Sequence, residues 1–284
     1  PQSIIMLFVS LLIALVVVAA TAAKIEDSDR LHTAVDKGLI DAINAKKTTW
    51  TASMPIKFQN ATVADVKKML GTIMPGEEGY QQPDVFRTEF NLRETPIPEA
   101  FDVRTNWPEC AAITGHVRDQ SSCGSCWAFG STEAFNDRYC MVTGDAKTLM
   151  SPEDTAACCN GFVCQFSMGC NGGQPAGAWN WFTKTGVSTG GDYENVGDGT
   201  TCKPYTLESC AHHADPAPGE AACPDLPSYS TPKCTNTCSE SAYPTSYADD
   251  KHLAKSSYSV KGVENMQREL MEKGTLSVAL QVYE

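Results

Sequence analysis

The chain has 284 residues, a net charge of −12 and thirteen cysteines. So acidic a balance excludes the basic surface that nucleic-acid binding requires, and no nucleic-acid partner is expected. The length suits a small leader plus one domain and part of another, and no cysteine precedes residue 110, which separates a cysteine-free leader from a disulfide-bearing body.

Residues 1–22 read as a signal peptide. An apolar stretch from Ile4 to Ala20 ends in the small residues Ala20, Thr21 and Ala22, and charge begins at Lys24. The stretch is longer than a usual signal core, which leaves an uncleaved anchor as the alternative reading. The start at Pro1, without Met or a basic segment, reads as a truncated N-terminus. No later stretch approaches spanning length, so the remainder is expected to be lumenal or extracellular, without stable membrane association.

Residues 23–96 form the leader. Leu31, Val35, Leu39 and Ile43 recur at i, i+4 between Ser28 and Trp50, with Ile40 beside them, predicting one amphipathic helix. A shorter helix is predicted from Val63 to Leu70, with Thr62 as N-cap and Gly71 as the stop. Together with Phe86 and Phe90 in an extended stretch, these elements are too small to bury a core alone and need a partner surface. Asn60-Ala61-Thr62 is a glycosylation sequon. Pro96, Pro98 and Pro108 mark a linker where processing would fall.

From Gly124 the chain turns, and Ala128, Thr132, Phe135 and Tyr139 follow the spacing of a helix with one buried face. Cys126 therefore sits at a helix N-terminus. Beyond Cys158 the composition predicts disulfide-stapled loops, one helical run around Ala176 to Thr185, and a strand beginning near Thr275.

An odd cysteine count leaves one thiol unpaired, and Cys126 is the candidate. A thiolate is the nucleophile of cysteine chemistry, and a helix N-terminus offers it roughly half a positive charge. Two other readings compete: a redox pair of Cys123 and Cys126, and a zinc site of Cys158, Cys159, Cys164 and Cys170. Dense cysteines, the secretory route and the flanking residues of Cys126 weigh against both, so no metal and no cofactor is expected.

The run Cys123-Gly124-Ser125-Cys126-Trp127 resembles the papain and cathepsin family, whose local signature it matches in full. The resemblance implies an α+β, two-domain papain-like fold with a helical left domain and a β-rich right domain, preceded by an inhibitory pro-region. It also implies that Cys126 is the nucleophile, that Gln120 contributes its side-chain amide to an oxyanion hole with the backbone N–H of Cys126, and that Trp127 takes part in substrate binding. The family usually has glycine where this chain has Ser121.

Further motifs resemble the cathepsin B branch: the leader end at Asn91–Thr95, Ile97 to Arg104, and Cys170-Asn171-Gly172-Gly173. There Gly172 and Gly173 would leave room for a substrate backbone in the cleft. Cys210-Ala211-His212-His213, leading to Cys223, is similar to the occluding loop of that branch. By resemblance, His212 and His213 would bind a peptide C-terminal carboxylate and permit dipeptide removal beside endopeptidase cleavage, with His212 latched to Asp119. An exposed loop pair or an adventitious metal site is the plainer reading of the two histidines. The resemblance pairs Cys110 with Cys140, Cys123 with Cys170, Cys158 with Cys234, Cys159 with Cys164, Cys202 with Cys238 and Cys210 with Cys223.

The family also uses a histidine and an asparagine far beyond the cysteine. His252 lies in a polar, lysine-flanked context unlike that site, His32 is in the leader, and His116 precedes Cys126 too closely. Residues 97–284 are therefore expected to be a partial peptidase domain lacking most of the β-rich half, inactive if expressed alone. The expected function is a cysteine-type peptidase made as a zymogen, acting on peptides and proteins in the lysosome or outside the cell, held by its own pro-region and open to cystatin-type inhibitors. A catalytically inactive binding module is the alternative; retention of Cys126 and Gln120 favours the enzyme.

Overall fold

The computed structural model describes residues 26–54, 58–80, 96–211, 216, 218, 221–222, 226 and 229–280. The expected signal peptide, Phe86, Phe90, His212, His213 and Cys223 lie outside the described residues.

The leader differs from the single helix expected between Ser28 and Trp50. A 3-10 turn over Asp27–Arg30 is followed by an irregular stretch and then by α1, Lys37–Ala45. Asp36 is the reason for the break: its carboxylate accepts from the amides of Gly38 at 2.6 Å and Leu39 at 3.4 Å, so it starts a helix instead of continuing one. The stretch before it pairs elsewhere, with the Ala34 amide donating to the Ala61 carbonyl at 2.8 Å. Leu31, expected on the buried face, is 85 % exposed. The second helix, α2, spans Val63–Lys67 and starts with a capping box, in which Thr62 Oγ1 accepts from the Asp65 amide and the Asp65 carboxylate accepts from the Thr62 amide. It stops short of Leu70, and the chain then runs into the cleft described below.

The body opens with two short helices, α3 (Val103–Asn106) and α4 (Ala111–Thr114). Its centre is α5, Cys126–Thr143, which ends where Gly144 takes φ +74° and donates to the Cys140 carbonyl at 2.7 Å. α6 (Pro152–Cys158) is capped by Ser151, whose Oγ accepts from the Asp154 amide at 2.9 Å, and α7 (Pro175–Lys184) carries proline at its first position. Phe135 of α5 stacks on Phe182 of α7 at 5.1 Å, while Thr132 and Thr155 join hydroxyls across α5 and α6 at 2.8 Å. These contacts close a core containing Trp127, Met150, Trp181 and Val187. α8 (Val263–Lys273) is tied to α5 by the Arg138–Glu269 ion pair at 2.9 Å. Two-residue strands β1 (Cys210–Ala211) and β2 (Ala221–Ala222) pair in parallel.

The one-faced burial expected of α5 is an understatement. Ala128 and Thr132 are buried as predicted, but so are Trp127, Phe129, Ser131, Ala134 and Asn136. α6 and α7 cover one side, the Cys110–Cys140 bridge and α4 a second, and Tyr205 with Leu207 a third. No strand forms over residues 275–280; the Thr275 carbonyl accepts instead from Arg138 Nε at 2.7 Å.

Disulfides join Cys110–Cys140, Cys123–Cys170, Cys158–Cys234, Cys159–Cys164 and Cys202–Cys238. Cys210 is also disulfide-bonded. Cys126 is the free cysteine among the described residues. The redox-pair reading fails because Cys123 is bonded to Cys170, and the zinc reading fails because all four of its cysteines are bridged.

Candidate active site

Cys126 is the first residue of α5, and its N-cap is unusual. Ser125 makes no side-chain cap; its hydroxyl meets the Tyr205 hydroxyl at 3.2 Å, so the partial positive charge of the helix end is left to the adjoining thiol. The turn before it is laced to the glycine segment across the cleft. The Gly124 amide donates to the Cys170 carbonyl at 3.1 Å beside the Cys123–Cys170 bridge, and Gly124 forms a parallel bridge with Asn171.

Gly172 and Gly173 have separate reasons to be glycine. Gly172 has φ +105°, a left-handed conformation that a side chain would strain. A Cβ on Gly173 would lie 2.4 Å from the Trp127 ring. That contact puts the Trp127 ring behind the glycine wall. With the leader in place Trp127 is 1 % exposed, and its Nε1 donates to the Gly169 carbonyl at 3.0 Å.

The leader fills the cleft. The Gly71 amide donates to Cys126 Sγ at 3.1 Å, and Thr72 Oγ1 lies 3.6 Å from the same sulfur. Gln120 Nε2 donates to the Met69 carbonyl at 3.0 Å and to the Cys123 carbonyl at 2.6 Å. The Gly173 amide donates to the Gly71 carbonyl at 2.7 Å, and its carbonyl accepts from Ile73 at 3.2 Å. The thiol, the side-chain amide and the glycine backbone thus converge on one extended segment, Met69–Ile73. Gly71 reads in the sequence only as a helix stop. Its real constraint is proximity: a Cβ there would lie 1.8 Å from the Gly124 carbonyl oxygen.

The remaining histidines are elsewhere. His252 packs edge-on against Tyr139 at 5.0 Å, about 20 Å along α5 from Cys126 at the helical rise, and burial lowers its pKa. His116 Nε2 is 2.6 Å from Asp192. His212 and His213 lie outside the described residues, as does the expected His212–Asp119 latch. Asp119 Oδ1 accepts from the Ser121 amide at 2.6 Å. Tyr205, missed in the sequence, donates from its hydroxyl to the Gln120 carbonyl at 2.8 Å; a tyrosine 85 residues downstream carries no local signal of that role.

The pattern of the papain family cysteine protease matches residues 97–284, around this site, and that of the peptidase family C1 propeptide matches residues 36–76, the segment that fills it. The chain belongs to the papain family of cysteine peptidases. Its resemblance to the cathepsin B branch is close. It is 38 % identical over 277 residues to cathepsin B-like cysteine proteinase 5 of Caenorhabditis elegans, covering 95 % of this chain and 75 % of that protein. It is 37 % identical over 252 residues to cathepsin B-like cysteine proteinase 4 of the same organism, covering 87 % and 70 %. Its fold is similar to that of procathepsin B S9 from Trypanosoma congolense, with a TM-score of 0.60 and 29 % identity over 85 % of this chain and 70 % of that one. The peptidase is therefore a cathepsin B-like cysteine peptidase with its pro-region, on a partial α+β papain-like fold. No helix among the described residues is long and apolar enough to cross a membrane.

Proposed function

We propose that this peptidase is a zymogen whose Cys126 cleaves peptide bonds through an acyl-enzyme once Met69–Ile73 leaves the cleft. The observation that carries the reading is the occupancy just described. Backbone groups of the leader engage Cys126 Sγ, Gln120 Nε2 and Gly173, the groups a substrate backbone would use. In the free cleft, the Cys126 thiolate attacks the substrate carbonyl carbon. The resulting oxyanion takes the hydrogen bond that Gln120 Nε2 now gives to Met69, joined by the backbone N–H of Cys126. Collapse expels the amine and leaves a thioester, which water hydrolyses to free acid and thiol. Protonation of the amine calls for an imidazole at the sulfur; His32, His116 and His252 sit elsewhere.

Within this reading, residues 23–96 are the inhibitory pro-region and 97–284 the peptidase domain. His212 and His213 on the segment between Cys210 and Cys223 would bind a free C-terminal carboxylate and favour dipeptide release. Cystatin-type inhibitors would compete for the same cleft. The compartment is lysosomal or extracellular, and the exposed Asn60 is a glycan site.

The test uses full-length protein after removal of the leader, with internally quenched peptides bearing free or amidated C-termini. Turnover should vanish in Cys126→Ser. Dipeptide release should require the free carboxylate and be lost in the His212→Ala/His213→Ala double variant while internal cleavage persists. A Cys126 that resists a thiol-directed epoxide at both acidic and neutral pH would overturn the peptidase reading.

A further inference from the structure

Ser121 stands one residue after Gln120 in a conformation that argues against a serine. Its φ of +58° lies in the left-handed region that L side chains rarely adopt, at a position where papain-family chains usually have glycine. It is nevertheless fully buried, and its hydroxyl donates to the Glu208 carbonyl at 2.7 Å across 87 residues of sequence. Next to it, the Gln120 carbonyl accepts from the Tyr205 hydroxyl at 2.8 Å. The stretch 205–208 therefore grips two successive residues of the turn. Two residues beyond Glu208 lies Cys210, disulfide-bonded and paired through β1 with β2. Glycine would adopt the backbone conformation more readily, but it has no donor for Glu208. The hydroxyl is what this chain gains from the strain.

We propose that Ser121 is a positioning residue whose hydroxyl ties the turn carrying the Gln120 amide to the 205–208 stretch. The placement of the oxyanion donor and the seating of the 205–208 stretch thereby become one coupled event. The inference rests on the peptidase reading of Cys126 and Gln120. Its physical content is that a tethered turn aims Gln120 Nε2 at the point where charge develops, an effect felt in the transition state and not in substrate binding.

Two variants separate the bond from the strain. Ser121→Gly removes the hydroxyl and relieves the backbone, whereas Ser121→Ala removes the hydroxyl and keeps the strain. In leader-free full-length enzyme, normalised by epoxide titration of Cys126, both should lose about tenfold in kcat at constant KM. That is a fraction of the roughly hundredfold or more that deleting an oxyanion donor costs. The inhibition constant of a peptide aldehyde, whose carbonyl carbon bonds to Sγ while its oxygen enters the hole, should rise by the same factor. Amide hydrogen exchange at 119–123 and 208–211 should quicken together in Ser121→Gly. A loss confined to Ser121→Ala, unchanged kcat in both variants, or failure of Ser121→Gly to fold would each overturn the tether. If the parent shows no Cys126-dependent turnover, it is the peptidase reading that fails. The tether is then judged by hydrogen exchange alone, and unchanged exchange overturns it.

Discussion

Gly71 crosses the cleft with its Cα facing the backbone of Gly124, and both partners in that contact are main chain. No rotamer change can relieve a methyl group placed 1.8 Å from a carbonyl oxygen, so Gly71→Ala must push the plug away from Cys126. Overpacking of this kind costs about 1–3 kcal/mol, which corresponds to a rise of roughly fivefold to a hundredfold in the inhibition constant of the leader. Titrating leader-free enzyme with synthetic peptides spanning residues 36–76, with Gly or Ala at position 71, measures it directly. Equal inhibition by the two peptides would mean that the segment reaches the thiol by a different path. Gly173 obeys the same logic from the opposite wall, where the obstacle is the Trp127 ring.

Among the elements, α5 and α7 could be read from apolar spacing, and the start of α2 from Thr62, because these signals are local. What escaped were partners brought in from a distance. Asp154 reads in sequence as an acid in the first turn of α6, yet it is fully buried. It accepts from Lys203 at 3.0 Å, from Lys251 at 2.6 Å and from the Tyr247 hydroxyl at 2.7 Å, residues 49 to 97 positions away. The two ammonium groups also flank the Tyr247 ring, each at 3.9 Å. The active site divides the same way: Cys126, Gln120 and the two glycines lie in recognisable runs, whereas Ser121–Glu208 and Tyr205–Gln120 depend on chain crossings that no local pattern encodes. Asp154→Asn keeps the volume but takes the counter-charge from the buried Lys203 and from the largely covered Lys251, so a loss of about 3–5 kcal/mol is expected in denaturant unfolding. Burial opposes the charge on Asp154, but Lys251 and Lys203 outweigh it and hold its carboxyl below the usual aspartate value. Its folded pKa being the lower one, the stabilisation is present above about pH 4 and is lost only as pH falls through the depressed value. The cluster therefore remains intact in a mildly acidic compartment.

For the whole molecule, acidity acts in the opposite sense through Glu133. This residue of α5 lines a cavity of about 40 Å³ with His116, Arg118, Asn136 and Asp137. Burial first, and then the charges of Asp137 and Asp192 against the relief from Arg118, raise its pKa from 4.5 to about 7. A folded pKa above the unfolded one means that stability is fullest below about pH 4.5 and declines as pH rises towards 7. The decline amounts to as much as about 3 kcal/mol from this group alone. Glu133→Gln should match the parent in thermal midpoint near pH 4.5 and exceed it near pH 7.5; identical profiles would remove Glu133 as the cause. The pairing of Cys123 with Cys170, three residues from the free thiol proposed as the nucleophile, sets a second condition on the surroundings. With the leader in place Cys123 is 1 % exposed, while Cys170 and Cys126 are both partly exposed. The fold holds Cys123 and Cys170 with their Cα atoms 4.7 Å apart, so a bridge opened by a small thiol re-forms, whereas a glutathione cap on Cys126 has no such partner and mild reductants remove it while the frame stays oxidised. The working range of the peptidase is bounded by redox poise as well as by pH, reducing enough to uncap one sulfur and too gentle to open its neighbour.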